Sequence, residues 1–356
     1  MSFTIGIPVR NGEQFLAQAI ESALAQTRTA DEILVVDDGS SDGTRAIATD
    51  PKWQARVRYV YNDKPTGFAD AFNRVANLAK SDIVVFLSAD DLLDPAHLEA
   101  VEGGFSTFPD ARFCYVGSRY IDANGKPMSS PVRQSSSAPQ LYDGKMYVHN
   151  YLMGCLTGNE IHRCVGIAVQ RELMVERCGF RKDAGIMADN DFFIRIASKT
   201  KVIGISSPLA SVRSHVGAIS SRIDSLGLRV AEDYLYQIRF LKSEPRYIAE
   251  KDMLVVYELA YRSMNSLLRE AVLRGRRELG SAGLRLMQES MALVGEEIAG
   301  PLIKSNGRIL GFIHRGGWAV ALYRAAVFAA ERLKKVKRMV LAAKTTSPAA
   351  PASAHL

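Results

Sequence analysis

The chain has 356 residues with 47% hydrophobic and 23% charged side chains, a balance that excludes a disordered or low-complexity protein and allows a sizeable core. A formal net charge of +7 suits an anionic partner (a nucleotide, a nucleic acid or an acidic membrane surface) without choosing among them. No window reaches the roughly 18 uninterrupted apolar residues of a spanning helix, and the N-terminus runs into a strand pattern rather than a signal peptide, so a cytoplasmic protein is expected.

Residues 3–9 read as a buried strand, and 13–26 as a helix with Phe15, Leu16, Ala19, Ile20, Ala23 and Leu24 on one face. A second apolar strand, 32–36, runs into Asp37-Asp38-Gly39-Ser40-Ser41-Asp42-Gly43-Thr44, a turn that can cap the next helix. Residues 57–61 form a third strand, 68–80 a helix and 83–87 a fourth strand. Pro95 suits a first helical position, and 112–121 is a fifth strand. The alternation predicts an α/β fold, a mostly parallel Rossmann-like sheet with helices on both faces. Such sheets bind ligands beyond the carboxyl ends of their strands, where Asp37-Asp38 and Asp90-Asp91 both fall.

Residues 123–137 are rich in Ser, Pro, Gly and Asn and read as a loop; short strands and one helix return over 152–221. Helical patterns then dominate over 229–241, 251–274, 284–295 and 318–343, and the Pro/Ala/Ser-rich end is predicted to be disordered. The expected division is an α/β domain over 1–225, a helical C-terminal region over 226–343 and a tail over 344–356. Cys114, Cys155, Cys164 and Cys178 form no Cys-x-x-Cys pair and have no histidine at zinc spacing, so free thiols are expected.

Four segments carry candidate chemistry. Asp38 can accept from a nucleobase or ribose, or can simply cap a turn. Asp90 and Asp91 repel each other unless a cation or strong hydrogen bonds hold them, and oxygen ligands of this kind favour Mg²⁺ or Mn²⁺. Asp189 starts a helix and can serve as a general base, whereas Asp191, two residues on, points elsewhere and suits a cap or a pair with Arg195. His215 reads as a metal or diphosphate ligand, or as an ordinary loop histidine.

Taken in order, these segments resemble the family 2 glycosyltransferases of the GT-A fold. Members open with a strand and Pro-x-Tyr-Asn, matched by Pro8-Val9-Arg10-Asn11. Val36-Asp37-Asp38-Gly39-Ser40 follows, then Gly67 and Asn73 around a helix start. The metal motif Asp-x-Asp-Asp is matched by Ser88-Ala89-Asp90-Asp91, and Glu-Asp-x-Asp-x-x-x-Arg by 188–195. Arg213-Ser214-His215 with Ser220 ends the series, so the match covers 3–221. Three departures are Arg10 for Tyr, Ser88 for the first Asp, and Ala188 for Glu.

The resemblance implies inverting transfer from a nucleoside-diphosphate sugar to a hydroxyl acceptor, a glycan or lipid-linked glycan of cell-surface polysaccharide synthesis. It implies Asp189 as base and a divalent Mn²⁺ or Mg²⁺ on Asp90, Asp91 and His215. It also implies a nucleotide-sugar site from Pro8, Val9, Arg10, Asn11, Asp38, Gly67, Asn73, Ser88, Ala89 and Asp90, with no nucleic-acid partner. The rival readings are a non-catalytic nucleotide-sugar-binding module and a nucleotidyltransferase. No Gly-x-Gly-x-x-Gly follows the first strand, which speaks against a dinucleotide enzyme. The apolar run 318–330, followed by Arg332, Lys334, Lys335, Lys337 and Arg338, suits either a helix docked on the domain or peripheral contact with the inner face of an anionic cell membrane.

Overall fold

The computed structural model describes residues 1–218 except 54, 129–137, 158–161 and 176–178, together with 235, 236, 238–240, 243 and 289. The expected helices over 251–274, 284–295 and 318–343, the tail, Ser220 and Cys178 therefore lie outside the described residues, apart from the single helical residue Glu289. The chain divides into two compact units, Met1–Val256 and Tyr257–Leu356.

Strand β1 (Phe3–Val9) sits inside the sheet and is buried throughout. Its alternation builds both faces. Phe3, Ile5, Ile7 and Val9 join one apolar cluster with α1 (Leu16–Leu24) and α4 (His97–Thr107). Gly6 points the other way, toward α3 (Phe68–Leu78), where a Cβ would stand 2.0 Å from Val75 Cγ1. Only glycine permits that approach of helix to strand. The expectation of helices on both faces follows from this one strand.

Strands β2 (Glu32–Asp37), β3 (Val57–Tyr61) and β4 (Ile83–Phe86) complete a parallel half, and the short α2 (Thr44–Ala48) follows β2. The second half is mixed. It contains β5 (Leu92–Leu93), β6 (Ala111–Ile121), β7 (Gln140–Tyr142), β8 (Ala168–Gln170) and β9 (Lys201–Arg213). β8 lies antiparallel between β4 and β6, β6 and β9 are parallel, and β5 and β7 pair antiparallel with β9. The sheet order is β3-β2-β1-β4-β8-β6-β9-β5. Helices α5 (Gly144–Thr157) and α7 (Ala188–Ala197), the one-turn α6 (Arg171–Leu173) and a 3-10 segment (Lys182–Met187) complete the described elements. The long β9 carries the chain back to the carboxyl end of β4, placing 213–215 beside Asp90-Asp91.

Two histidines are buried in this frame. His97 donates from Nε2 to the Gly166 carbonyl at 2.8 Å, and its Nδ1 is a buried atom without a partner among the described residues. His162 takes the Tyr147 hydroxyl on Nε2 and donates from Nδ1 to the Arg163 carbonyl at 3.0 Å. Burial drops each imidazole to about 4, against an ordinary value of 6.5, outweighing the hydrogen bonds that oppose it. The unfolded chain therefore protonates first as the pH falls, so stability declines from about pH 6.5 and the whole contribution is gone near pH 4. Each histidine is worth about 3 kcal/mol over that window. Urea midpoints measured at pH 7, 6 and 5 should fall steadily, and a flat profile would contradict the burial assigned to both rings.

Candidate active site

The carboxyl ends of β1 and β2 are locked in register, with Val9 opposite Asp37 and the Asp38 N–H donating to the Val9 carbonyl at 2.8 Å. Beyond them two loops zip together. Asn11 adopts φ 53°, the left-handed region that asparagine tolerates. Its N–H donates to Ser40 Oγ at 2.8 Å, and its Oδ1 accepts from the Ser41 N–H at 2.9 Å. Gly12 N–H donates to Thr44 Oγ1 at 2.8 Å, and Gly43 N–H to Glu13 Oε2 at 2.8 Å. Arg10 stays exposed beside this zip, just past the buried Pro8 and Val9.

Asp37 and Asp38 are both engaged by the protein. Asp37 is fully buried, accepting from the Tyr59 hydroxyl at 2.7 Å and the Ser40 N–H at 2.8 Å. The Asp38 carboxylate, 3% exposed, accepts from Asn62 Nδ2, the Thr66 N–H and hydroxyl, and the Gly67 N–H, all within 3.0 Å. Burial alone would raise this acid, but the donors hold it below the usual carboxylate range. Gly67 precedes α3 with φ 93°, a conformation that favours glycine. Asp38 therefore fixes the segment that starts α3.

Asn73 does comparable work from α3. Its Nδ2 donates to the Phe180 carbonyl at 2.8 Å, and its Oδ1 accepts from the Phe180 N–H at 2.7 Å. The Phe180 ring stacks on Phe192 of α7, centroids 4.1 Å apart. Replacing Asn73 with Ala removes both bonds and leaves the Phe180 amide and carbonyl without their partners, costing about 2–3 kcal/mol. A urea midpoint close to wild type would show that this bridge carries little.

At the end of β4 the four motif residues divide. Ala89 lies beside Gly12, where a Cβ would stand 3.5 Å from its own Cβ. Asp90 keeps its side chain 35% exposed and meets His215 Nε2 at 3.1 Å. Asp91 turns inward, accepting the Arg213 N–H on Oδ1 at 2.8 Å and a hydrogen bond from the Ser88 side chain. Burial, then the adjacent charge of Asp90, pushes its carboxyl well above the usual range, and Arg213 and Ser88 oppose this. An acid at position 88 would add negative charge where Ser88 now supports Asp91.

Among the described residues no group of three or more His, Cys, Asp or Glu gathers as a ready metal site. Asp90 with His215 still fits a divalent ion of the Mg²⁺ or Mn²⁺ type. Such an ion keeps several waters and takes phosphate oxygens, needing only one or two protein ligands. Sequence reasoning gave no role to the residue that builds this pair. Arg213 is 3% exposed; its Nε donates to the Asp90 carbonyl at 2.8 Å and its Nη2 to Gln18 Oε1 at 2.8 Å. Its Nη1 reaches the carbonyls of Asp122 and Ala123, and its guanidinium lies 4.6 Å from the Phe15 ring centroid. Phe15 in turn packs edge-on against His215 at 4.7 Å.

Asp189 stands half-buried in the first turn of α7, accepting the Asn190 N–H at 2.9 Å. Asp191 is buried and paired with Arg195 one turn on. The Cys164 thiol is pushed well above the ordinary value by burial, then by the charges of Asp189 and Asp91.

Residues 4–165 match the family described as Glycosyl transferase family 2. Over those residues the chain matches a family 2 glycosyltransferase domain. The O-antigen biosynthesis protein RfbC of Myxococcus xanthus is 27% identical over 59% of this chain, though that stretch is 16% of its own length. Chondroitin synthase of Escherichia coli is 28% identical over 42% of this chain and 22% of its own length. The chain thus spans well under two thirds of these relatives. S. aureus TarS 1-349, crystallised with UDP, shares the fold with a TM-score of 0.60 at 14% identity, covering 93% of this chain and 92% of that one. The GT-A architecture expected from the motif order is therefore the architecture observed, but the mostly parallel sheet expected holds only for β1–β4, and the second half is mixed.

Proposed function

We propose that the chain is an inverting glycosyltransferase that moves a sugar from a nucleoside-diphosphate sugar to a hydroxyl of a glycan or lipid-linked glycan. The observation that carries this reading is the half-exposed Asp90 carboxylate at the carboxyl end of β4, 3.1 Å from His215 Nε2. Inverting displacement needs a base on one side of the sugar and charge stabilisation on the other. Asp189 takes the proton of the acceptor hydroxyl as its oxygen attacks the anomeric carbon, and the nucleoside diphosphate leaves from the opposite face. A Mg²⁺ or Mn²⁺ held by Asp90 and His215 would neutralise the departing diphosphate.

Pro8, Val9, Arg10 and Asn11 line the nucleotide end, where the exposed Arg10 guanidinium suits stacking on a base face. Asp38, Gly67 and Asn73 serve that end by shaping the start of α3. The complexes of S. aureus TarS with UDP and with UDP-GlcNAc support a nucleotide-sugar donor. The names of RfbC and chondroitin synthase support a polysaccharide product. Among the described residues no helix is long and apolar enough to cross a membrane.

The deciding experiment offers the purified chain a panel of nucleotide sugars with and without Mn²⁺. Release of nucleoside diphosphate with sugar transfer is expected. Pyrophosphate release would indicate a nucleotidyltransferase, and binding without turnover a non-catalytic module. Asp90→Asn should lower turnover about 10²–10³-fold and remove the Mn²⁺ dependence of nucleoside-diphosphate binding. Wild-type binding that ignores both Mn²⁺ and chelator would remove the metal from the reading.

A further inference from the structure

The first turn of α7 presents three polar side chains in succession, each with a different neighbour. Asp189 accepts the Asn190 N–H at 2.9 Å. Asn190 accepts the Tyr151 hydroxyl of α5 at 2.6 Å. Asp191 faces inward, its side chain 5% exposed, and both of its oxygens are used. Oδ2 accepts Arg195 Nε at 2.6 Å, and Oδ1 accepts the Tyr236 hydroxyl at 2.8 Å. Arg195 also donates from Nη2 to the Gly179 carbonyl at 2.7 Å. Gly179 adjoins Phe180, the residue that Asn73 grips from α3. One connected set therefore runs from Tyr236 through Asp191 and Arg195 to the stretch leading into the Asp189 turn.

Tyr236 comes from beyond β9, 45 residues after Asp191. Residues 235, 236 and 238–240 are helical, and Leu235 and Ile238 are buried at 4% and 1% exposure. We propose that Tyr236 is a positioning residue for the transfer reaction, its hydroxyl acting through Asp191 and Arg195 to fix the helix turn that carries Asp189. This rests on the assignment of Asp189 as base. Tyr236 touches no reacting atom in that scheme.

The physical reason is the burial of Asp191. An i,i+4 pair with Arg195 serves one carboxylate oxygen, and the other has left water. Only a donor from another part of the chain can satisfy it, because a buried acceptor without a partner is costly. The phenol stays protonated, since burial and then the charge of Asp191 push its ionisation upward. Without the hydroxyl, Asp191 and Arg195 must rearrange, and Arg195 is the group that also holds Gly179. A displacement well under 1 Å at Asp189 changes the rate, because proton abstraction depends on near-contact geometry.

The test uses the full chain and the nucleotide sugar that the wild type turns over in the panel. Tyr236→Phe keeps the ring and its packing. It should lower kcat about 5–30-fold, leave donor KM and affinity for the matching nucleoside diphosphate within about twofold, and raise amide hydrogen exchange at residues 188–191. In the Asp189→Asn background the same change should cause no further loss, because both act through one group. An equal fold-loss in that background overturns the proposal, as does wild-type kcat with unchanged exchange. If Asp189→Asn itself transfers at the wild-type rate, the base assignment fails and the proposal with it. That outcome differs visibly from an inactive Asp189→Asn beside a silent Tyr236→Phe, which overturns the proposal alone. Should Tyr236→Phe not fold, Arg195→Lys keeps a charge beside Asp191, loses the second arm on Gly179, and is judged by the same readouts.

Discussion

Replacing Asp189 with Asn is expected to lower sugar transfer about 10²–10⁴-fold while nucleoside-diphosphate binding stays near wild type. The amide keeps the volume of the side chain and can still accept the Asn190 N–H now held at 2.9 Å. What it loses, in the proposed scheme, is the ability to take a proton from the acceptor. Asp191 cannot substitute, because Arg195 and Tyr236 already occupy both of its oxygens. Asn190 is tied to Tyr151. The measurement is paired: turnover of the donor with acceptor, and nucleoside-diphosphate affinity by calorimetry. Transfer at the wild-type rate removes Asp189 from the base role. Loss of nucleoside-diphosphate affinity in step with transfer would instead give it a part in building the donor site.

The parallel half of the fold was legible because each strand there is a short, nearly continuous apolar run closed by turn residues. β1 shows why. Its seven residues are all buried, so neither face admits a polar side chain except Thr4, whose hydroxyl donates to Glu32. The mixed half was harder. β5 has two residues and β8 three, too few for any period to register. Helix α5 went unread because Gly144, His149, Asn150 and Gly154 interrupt its apolar positions, and β-branched or aromatic residues fill much of the rest. Tertiary contacts hold it instead, with Tyr147 and Tyr151 packing around the buried His162.

At the site, the motif order located the acidic segments but could not say which carboxylate faces outward. Asp90 and Asp91 are chemically identical in sequence. The backbone turn from the Ser88 carbonyl to the Asp91 N–H sends one toward Arg213 and leaves the other with His215. The same holds for Asp38 and Asn73. The resemblance implied a place for both in the nucleotide-sugar site, and in the structure their side chains hydrogen-bond to Thr66, Gly67 and Phe180. A side chain that shapes a loop and one that touches a ligand share the same letter, and only the partners distinguish them. Asp191 paired with Arg195 was readable from spacing, since four residues on a helix bring the two together. Its second partner, Tyr236, carried no local signal.

Arg213→Met should destabilise the folded chain by about 3–5 kcal/mol, the range for losing one member of a buried charged network. The guanidinium donates to the Asp90, Asp122 and Ala123 carbonyls and to Gln18. Methionine fills part of the volume beside Phe15 and supplies none of these donors. It also withdraws the positive charge nearest Asp91, whose carboxyl is already pushed upward by burial and by Asp90. Arg213→Lys should recover only part of the loss, since one ammonium cannot span acceptors arranged around a planar fork. The consequence for the reaction follows from the same contacts. Arg213 precedes His215 by two residues and packs on the ring that His215 touches edge-on, so releasing the guanidinium loosens the Asp90–His215 pair. Urea denaturation at pH 7 reads the stability, and nucleoside-diphosphate titration with and without Mn²⁺ reads the pair. A variant within about 1 kcal/mol of wild type, with unaltered Mn²⁺ dependence, would mean that β9 holds its end by the strand ladder alone.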